Sequence, residues 1–223
     1  MTEERRTATA SVKRAARPRS AGRTSIGRDR EEQLIEVAAK MFHEQGYEAT
    51  SLQEIADDLG LLKGSLYYYI KTKEDLLWAI IMRPHGAALA LVEECRQMEA
   101  LPGERLKWFI SSYAHLLAKD KIFVTVYLNE FGRLSPARLK TIKRERDSFI
   151  TFVIGLIEEG QQSGAFRGGG SAEILALAIL GMLNSSVSWY SARHPRSPEA
   201  VIDSILLLVF EGIVLEGTPL NLA

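Results

Sequence analysis

The apolar residues of this chain recur at helical spacing from residue 28 to residue 215, and this pattern limits what the chain can fold into. Leu34, Ala38 and Phe42 follow one another every four residues, with charged side chains between them, as in an amphipathic helix. Strand-like alternation is convincing nowhere. The best candidate, the apolar run 122–128, fits a buried helix equally well. We therefore predict an all-α protein of about nine helices.

Glycine, proline and capping residues set the predicted helix boundaries. Gly46 follows the first helix, as expected of the residue that most easily adopts the left-handed conformation past a helix C-terminus. Thr50 or Ser51 can cap the second helix, with Gln53 or Glu54 as the partner in a capping box. The later helices are predicted at about 73–98, 103–119, 121–133, 136–163, 172–193 and 198–215.

Two short helical segments lie between residues 51 and 70, and a tight turn joins them. Gly60 closes the first segment, and Leu66 and Ile70 lie one helical turn apart in the second. Two short helices joined by a glycine-containing turn are typical of a helix-turn-helix motif. Thr72 then caps the next helix, which has two acidic residues in its first turn, where the helix dipole favours them. We predict a three-helix, DNA-binding head over residues 28–75.

Charge alone excludes one class of DNA-binding protein. The chain has 28 basic and 28 acidic residues and a net charge of zero, so it does not bind DNA as a uniform polycation. Residues 1–27 contain seven basic and two acidic side chains, a net charge of +5, which leaves −5 on the remainder. The predicted head contains six basic and eleven acidic residues. Its DNA affinity must therefore come from the local placement of charge.

Residues 1–27 lack hydrophobic periodicity and are rich in small residues and arginine. We expect this basic arm to be disordered by itself. It would act either as a solubilising segment or as an arm that enters the minor groove of DNA. It has no apolar run of the signal-peptide type, which favours a cytoplasmic location over the alternative of an Arg-rich transit peptide.

The sequence contains none of the common catalytic or metal-binding motifs. The four histidines are scattered, the single Cys95 has no second cysteine or histidine at ligand spacing, and no Walker, HExxH, GxSxG or GxGxxG motif occurs. The strongly apolar run 205–210 is too short to cross a membrane. We expect no enzyme activity, no cofactor, no metal and no membrane span, with a helical enzyme as the less favoured alternative.

The head resembles the N-terminal domain of the TetR family of transcriptional regulators over residues 28–77. The matching residues are Gly46-Tyr47-x-x-Thr50, Glu54-Ile55-Ala56 and the continuous run from Lys63 to Leu77. The family usually has His and Phe where this chain has Tyr69 and Ile70. The resemblance implies an all-helical C-terminal domain, residues 76–223, that binds a ligand and forms a dimer. It also implies a regulator, most often a repressor, that leaves its operator when a small molecule binds.

The predicted DNA contacts lie around the two short helices. Ser65 and Tyr68 are three residues apart on the face opposite Leu66 and Ile70, which makes them candidates for base contacts. The family pattern implies that Lys63 and Lys73 contact phosphate groups of the DNA. The predicted DNA-binding residues are Ser51, Lys63, Gly64, Ser65, Tyr67, Tyr68 and Lys73. The alternative is that the tyrosines pack against the head and the lysines lie on a solvated face.

The last two predicted helices, 172–193 and 198–215, are apolar around most of their circumference. We expect them to form a homodimer interface with two-fold symmetry, with a buried intrachain core as the alternative. Such a dimer would carry two heads to half-sites about 34–36 Å apart, which predicts a pseudo-palindromic operator. The predicted partners are thus double-stranded DNA, a second copy of the chain and an effector.

The middle helices carry aromatic residues with a few polar ones, as the wall of a ligand cavity does. The candidate ligand residues are Trp108, Tyr113, Phe123, Tyr127, Glu130, Phe149, Phe152 and Trp189. The same residues could equally be ordinary core. Short stretches here resemble the TetR branch that responds to acyl-CoA thioesters, which implies such an effector, with a drug that controls an efflux gene as the alternative.

A CoA thioester would also need a basic rim for its phosphates. Six candidates follow the middle helices in sequence: Arg133, Arg138, Lys140, Lys143, Arg144 and Arg146. Arginine can hold a phosphate through two parallel hydrogen bonds, whereas lysine offers a point charge. The alternative is that this run of charges is simply the solvated face of a helix.

Overall fold

The computed structural model describes residues 25–190 and 196–211, and side chains from residue 29 onward. The described residues form nine α-helices and one short 3-10 helix, without a strand. An all-α fold with about nine helices is therefore confirmed, and the ambiguous run 122–128 is helical. Residues 1–24 of the basic arm lie outside the described residues, as do the predicted ends of the last two helices, 191–193 and 212–215. Residues 25–27, which the sequence predicts to belong to the disordered arm, instead form the start of the first helix.

The first two helices follow the predicted boundaries. Helix α1 spans Ser25–Gln45 and ends before Gly46, whose φ of 87° is the left-handed conformation expected there. Helix α2 spans Leu52–Asp58 and begins with a complete capping box between Ser51 and Glu54. Thr50 was the other candidate cap, but its buried hydroxyl donates to the carbonyl of Gly46 instead. The two candidates therefore have different functions in the same turn.

Helix α3 is much shorter than the segment from which it was predicted. It spans Lys63–Leu66, and the following residues continue as tighter turns in which the amides of Tyr68 and Tyr69 bond to carbonyls three residues back. Glycine and aromatic residues are weak helix formers, so this segment has little intrinsic preference for a longer helix. It is held in place by Leu66 and Ile70, which are buried.

Helices α4, α5 and α6 span Lys73–Arg96, Pro102–Lys119 and Lys121–Glu130. The 3-10 helix 131–133 follows α6, so the predicted helix 121–133 changes geometry in its last turn. Thr72 and Asp75 form the capping box of α4. Pro84 lies within α4 and removes one backbone hydrogen bond near the middle of this helix.

Helices α7, α8 and α9 span Pro136–Gln162, Ala172–Trp189 and Pro198–Phe210. Gly160, near the end of α7, is covered by the ring of Phe166, and a Cβ atom at residue 160 would overlap that ring. The chain therefore reverses closely after α7, and the amide of Phe166 donates to the Gly160 carbonyl at 2.9 Å.

The interior consists of two apolar clusters that meet along α4. The first, here called the head core, joins α1, α2 and α3 to the start of α4 through residues such as Leu76 and Ile80, and it also takes Phe123 and Ile142 from α6 and α7. The second, the body core, joins the rest of α4 to α5, α7, α8 and α9. The predicted boundary between the DNA-binding head and the C-terminal domain, at residues 75/76, therefore falls at the start of a helix that belongs to both clusters.

Two described helices, α4 and α8, are long and apolar enough to span a membrane by length and composition alone. Core helices of water-soluble proteins meet the same criterion, so this is weak support for a span. Each packs against at least three other helices. The absence of a membrane span stays a prediction.

Candidate DNA-binding surface and effector cavity

The turn that contains α3 presents a continuous exposed surface. Lys63, Gly64 and Ser65 are exposed, and Tyr68 is 85% exposed, because Leu66 and Ile70 hold the opposite side of the turn in the head core. Leu62, immediately before α3, is 81% exposed. A surface of hydroxyl groups, one lysine and apolar edges can meet base edges and thymine methyl groups in a major groove.

The three consecutive tyrosines have three different environments. Tyr67 is 48% exposed, Tyr68 projects into solvent, and Tyr69 packs against the head core. The rings of Tyr68 and Tyr69 meet edge to face with their centroids 5.3 Å apart. Tyr67 and Tyr68 are therefore accessible to DNA, whereas the ring of Tyr69 serves mainly to hold the turn against the head.

Ser51 lies at the N-terminus of α2 and is already used as a cap. Its Oγ accepts from the Glu54 amide at 3.2 Å, and a carboxylate oxygen of Glu54 accepts from the Ser51 amide at 2.6 Å. The bond from the Ser51 amide is the main cause that lowers the pKa of Glu54, and the Ser51 side chain contributes in the same direction. The Ser51 hydroxyl oxygen can keep its bond to the helix amide while the hydroxyl proton turns toward a DNA phosphate. The same side chain can therefore cap the helix and contact DNA.

The two lysines predicted to contact phosphate differ in how they are held. Lys63 is exposed. Lys73 is half-buried, its Nζ donates to the carbonyl of Glu48 at 3.2 Å, and it lies 4.3 Å from the centre of the Tyr47 ring. Lys73 therefore stabilises the turn after α1, whereas the exposed Lys63 side chain is the more accessible of the two to a DNA phosphate.

A cavity of about 390 Å³ lies behind the head, enclosed by α4, α5, α6, α7 and α8. Its wall is mostly apolar, which suits an apolar small molecule. The residues that line it are Pro84, His85, Ala88, Leu89, Tyr113, Leu116, Leu117, Val124, Tyr127, Leu128, Phe131, Arg146, Phe149, Ile150, Leu177, Leu180, Gly181 and Asn184. Arg146, Leu177 and Gly181 are exposed as well as lining, so they belong to its rim.

Two polar pairs interrupt the apolar wall. The Tyr113 hydroxyl donates to Oδ1 of Asn184 at 2.9 Å and joins α5 to α8. The ring of His85 on α4 lies 2.9 Å from a carboxylate oxygen of Glu145 on α7, and its other ring nitrogen is 3.4 Å from the Tyr127 hydroxyl. Burial raises the pKa of both tyrosines, so their hydroxyls stay neutral at physiological pH.

The structure brings three of the eight candidate ligand residues to this cavity, namely Tyr113, Tyr127 and Phe149. Tyr113 and Phe149 also contact each other, with ring centres 5.3 Å apart. They belong to an aromatic group with Phe109 and Phe152, but Phe152 lines a different groove. Trp108 packs against the body core and is not part of the cavity wall.

The remaining three candidates have other contacts. Phe123 lies in the head core, beneath the guanidinium of Arg83 at 4.1 Å. Glu130 accepts from the amide of Tyr47 at 3.3 Å and so joins α6 to the turn after α1. Trp189 is 51% exposed at the end of α8. Aromatic residues at helical spacing are found equally in cores and in cavities, so the sequence could not separate these cases.

Most of the lining residues were not among the candidates for the pocket wall, and four of these are Pro84, His85, Asn184 and Leu177. One of them had a signal in the sequence. Asn184 interrupts the apolar face of α8, where an amide requires a partner or a ligand. The other three are on helices whose orientation toward the cavity depends on tertiary packing.

The six basic residues predicted as a rim separate into three groups. Arg138 and Arg133 are paired with carboxylates, Arg138 with Glu74 and Asp75, and Arg133 with Glu48 and Glu130. A separate groove of about 930 Å³ on α7 is lined by Lys140, Lys143 and Arg144. Arg146 is the one member of this run that lines the cavity.

The described residues contain no group of three or more histidine, cysteine, aspartate or glutamate side chains placed to hold a metal ion. Cys95 is buried in the body core, and burial raises the pKa of its thiol. The exposed turn around α3 and the apolar cavity are the two places where predicted site residues come together.

Comparison with known protein families identifies both halves of the chain. The model described as bacterial regulatory proteins of the tetR family matches residues 34–80. The model described as the tetracyclin repressor-like C-terminal domain matches residues 99–213. The first match contains α2, α3 and the exposed turn, and the second contains most of the cavity wall.

Individual relatives are similar over most of their length. A fatty acid metabolism regulator protein of Bacillus subtilis is 27% identical over 182 residues, which cover 81% of this chain and 94% of that protein. The HTH-type transcriptional repressor KstR2 of Mycobacterium tuberculosis is 28% identical over 186 residues, covering 83% and 93%. The solved structure of KstR2, a ketosteroid transcriptional regulator, matches with a TM-score of 0.78 over 84% of this chain and 96% of its own.

A third similar structure is that of AibR in complex with isovaleryl coenzyme A and operator DNA. It matches with a TM-score of 0.73 and 25% identity, over 81% of this chain and 98% of its own. The C-terminal family model alone covers more than half of the chain, and the N-terminal model covers the helix-turn-helix motif. The chain therefore belongs to the TetR family of transcriptional regulators.

Proposed function

We propose that this protein is a dimeric repressor that leaves its operator when an acyl-CoA thioester enters the cavity. One observation carries the proposal. Helix α4 contributes Leu76 and Ile80 to the head core, and one turn later it contributes Pro84 and His85 to the cavity wall. A ligand that moves this part of α4 therefore moves the surface on which the head is packed.

DNA binding is assigned to the exposed turn of α3 and the residues around it. Ser65 and Tyr68 would contact bases, and Ser51, Lys63, Gly64, Tyr67 and Lys73 would hold the phosphate backbone. Most such contacts set position rather than sequence, so operator choice depends on few side chains. The net charge of zero limits non-specific attraction to DNA, which increases the importance of this local surface.

The effector is assigned from the cavity and from the relatives. An apolar wall suits an acyl group, and the exposed guanidinium of Arg146 at the rim suits an anionic group such as a CoA phosphate. AibR is described with isovaleryl coenzyme A, and two other relatives are named for fatty acid metabolism and for ketosteroids. A cationic drug would be repelled by Arg146, which disfavours the efflux alternative for drugs of that class.

Release follows if the ligand binds better to a conformation in which the two heads no longer fit the operator. The ligand can shift this equilibrium only by its difference in affinity for the two conformations. Repression is supported by the KstR2 relatives, which are transcriptional repressors. As a DNA-bound regulator without a proposed membrane role, the protein would act in the cytoplasm.

The decisive experiment measures operator release. DNA from upstream of the protein's own gene and of its neighbours is labelled, and binding is followed by fluorescence anisotropy. Decanoyl-CoA is expected to release the bound fragment and to raise the melting temperature of the free protein, since a ligand at one hundred times its Kd stabilises by about 2.7 kcal/mol.

Free decanoate, CoA alone and a cationic dye serve as comparison ligands. Release by free decanoate but not by its thioester would exclude a CoA effector, and release by the dye alone would favour the efflux alternative. Arg146→Gln is expected to weaken thioester binding without changing operator affinity. Lys107→Gln, an exposed lysine on α5 outside the cavity lining, is the matched control for loss of one positive charge.

A further inference from the structure

The amide of Asn184 is a polar group on the cavity wall with spare hydrogen-bonding capacity. Asn184 is half-buried, lies on α8 and lines the cavity between apolar neighbours. Its Oδ1 accepts from the Tyr113 hydroxyl. A side-chain amide also has two N–H donors, and no hydrogen bond from them to another described side chain or carbonyl accompanies the bond to Tyr113. The structure therefore leaves a donor at the cavity surface.

Tyr113 fixes the direction in which this donor points. The Tyr113 side chain is about nine-tenths buried, and its ring packs against those of Phe109 and Phe149. Burial raises the pKa of its hydroxyl, so that group remains a neutral donor. Because the Tyr113 hydroxyl donates to the amide oxygen, the amide nitrogen is the end of Asn184 that remains for another partner.

We propose that Asn184, oriented by Tyr113, binds an oxygen atom of the effector's acyl group and so determines which acyl thioesters act on this protein. The inference rests on the proposed function, because it assigns chemistry within the same cavity. The ligand oxygen has two sources, the thioester carbonyl and an oxo or hydroxyl group farther along the acyl chain. Both present a neutral acceptor to the amide.

A donor in an apolar wall changes ligand choice in a characteristic way. A ligand with an oxygen at that point forms a hydrogen bond in a site of low polarity, whereas a hydrocarbon at the same point leaves the amide without a partner. Sites that hydrogen-bond a ligand oxygen reject the analogue that lacks it more strongly than apolar sites reject an extra methylene. Selection should therefore depend on oxygen position and only weakly on chain length.

The test compares ligands that differ by one oxygen, in proteins that differ by one side chain. The ligands are decanoyl-CoA, the thioether S-decyl-CoA, which lacks the carbonyl, and decanoyl-CoA thioesters whose single keto group is moved along the chain. Each is titrated into wild type, Asn184→Leu and Tyr113→Phe by calorimetry. Leucine has the same branched shape as asparagine and removes the donor.

If the thioester carbonyl is the partner, wild type should bind decanoyl-CoA at least about tenfold more tightly than S-decyl-CoA. If a chain oxygen is the partner, one keto thioester should exceed decanoyl-CoA by a similar factor. In either case Asn184→Leu should bring the affinities for the two compared ligands within about twofold of each other. Tyr113→Phe should lower the ratio of these affinities only in part. Thr151→Val, which removes a hydroxyl from α7 outside the cavity, should keep the wild-type ratio.

Two contrary results are distinguishable. If the thioesters bind and release DNA but the ratios are the same in wild type and Asn184→Leu, the assignment of Asn184 is wrong and the proposed function stands. If no thioester binds to wild type, the proposed function fails and the inference fails with it. Circular dichroism melting curves of both cavity variants establish that the compared proteins are folded.

Discussion

At the residue scale, the exposed turn that contains α3 depends on which of its side chains are buried and which project into solvent. Leu66 is fully buried and Ile70 nearly so, and between them Tyr68 is 85% exposed. The tyrosine ring cannot add to the stability of the free head as a buried ring would, because it contacts little beyond the edge of Tyr69. An aromatic side chain held in solvent by buried neighbours is well placed for a binding partner.

Tyr68→Ala is therefore expected to remove most of the preference for the operator. The specific affinity should fall by about tenfold or more, since one base contact contributes roughly 1–3 kcal/mol, while binding to unrelated DNA and the melting temperature stay almost constant. Fluorescence anisotropy with operator and scrambled duplexes measures both affinities. A variant that retained the wild-type ratio of the two would contradict the base-contact assignment.

Lys63→Ala tests the other class of contact. Loss of a phosphate contact should weaken binding to every duplex by a similar factor, and the slope of log K against log salt should decrease by about one. The measurement is a salt titration with the same two duplexes. Lys107→Ala, on the surface of α5, should leave the slope unchanged. A loss confined to the operator would instead assign Lys63 to base recognition.

At the element scale, helix existence was predictable, but the length of α3 and the directions of the later helices were not. Capping residues such as Ser51 and Thr72 act on their own backbone, so their effect is local and visible in the sequence. The short α3 depends on Leu66 and Ile70 reaching the head core, which is a tertiary effect. For the same reason the sequence predicts both Tyr113 and Phe123 at the cavity, whereas only Tyr113 lines it and Phe123 lies in the head core.

Helix α7 contains two glycines that provide a matched test of close packing. A Cβ atom at Gly160 would overlap the Phe166 ring, whereas one at Gly155 would meet nothing within 4 Å. Gly160→Ala is expected to destabilise the fold by about 1–3 kcal/mol, because Phe166 must move. Gly155→Ala should stabilise it by about 0.5–1 kcal/mol through helix propensity. Urea denaturation of both variants gives the comparison, and equal effects would exclude the packing explanation.

At the scale of the whole molecule, ion pairs join the head to the body near the turn that contains α3. Arg138 at the start of α7 lies 2.5 Å from Asp75 and 3.2 Å from Glu74, both at the start of α4. The hydrogen bond from Arg138 is the main cause that lowers the pKa of Asp75. The pKa of Glu74 is also lowered, chiefly by its bond from the Ser135 amide. This cluster therefore connects α7, which lines the cavity, to the helix that follows α3.

Arg138→Gln should cost about 1 kcal/mol of unfolding free energy at neutral pH, a modest value because all three side chains are partly solvated. A carboxyl group whose pKa is lowered by folding stabilises above its unfolded pKa, and the contribution is lost as the pH falls through its folded pKa. The difference between wild type and variant should therefore shrink as the pH falls below about 4.3 and about 3.9, the ordinary pKa values of Glu and Asp. Urea unfolding over the acidic and neutral pH range measures this difference. Arg96→Gln, which removes an exposed ion pair with Glu93, is the control. A pH-independent difference would indicate lost packing against Trp78.

The dimer is the largest-scale feature that the sequence predicts, and its surface can be tested without knowing the operator. Ile174 on α8 is 67% exposed and Leu207 on α9 is 54% exposed, although both belong to the most apolar helices of the described chain. Exposed apolar side chains grouped on two neighbouring helices indicate a surface that is covered in the assembled protein.

Ile174→Asp and Leu207→Asp should each convert the dimer to a monomer in sedimentation equilibrium, because a charge would be buried at the interface without a partner. Leu62→Asp is the matched control for the sedimentation measurement alone, since it places the same charge on an 81% exposed leucine of the DNA-binding surface, remote from α8 and α9 in the fold. The α8 and α9 variants should also lose affinity for a two-half-site operator far more than for a single half-site, because half-sites about 34–36 Å apart require two linked heads. If these variants remained dimeric, the interface would have to lie elsewhere, and the exposed leucines and isoleucine of α8 and α9 would need another partner.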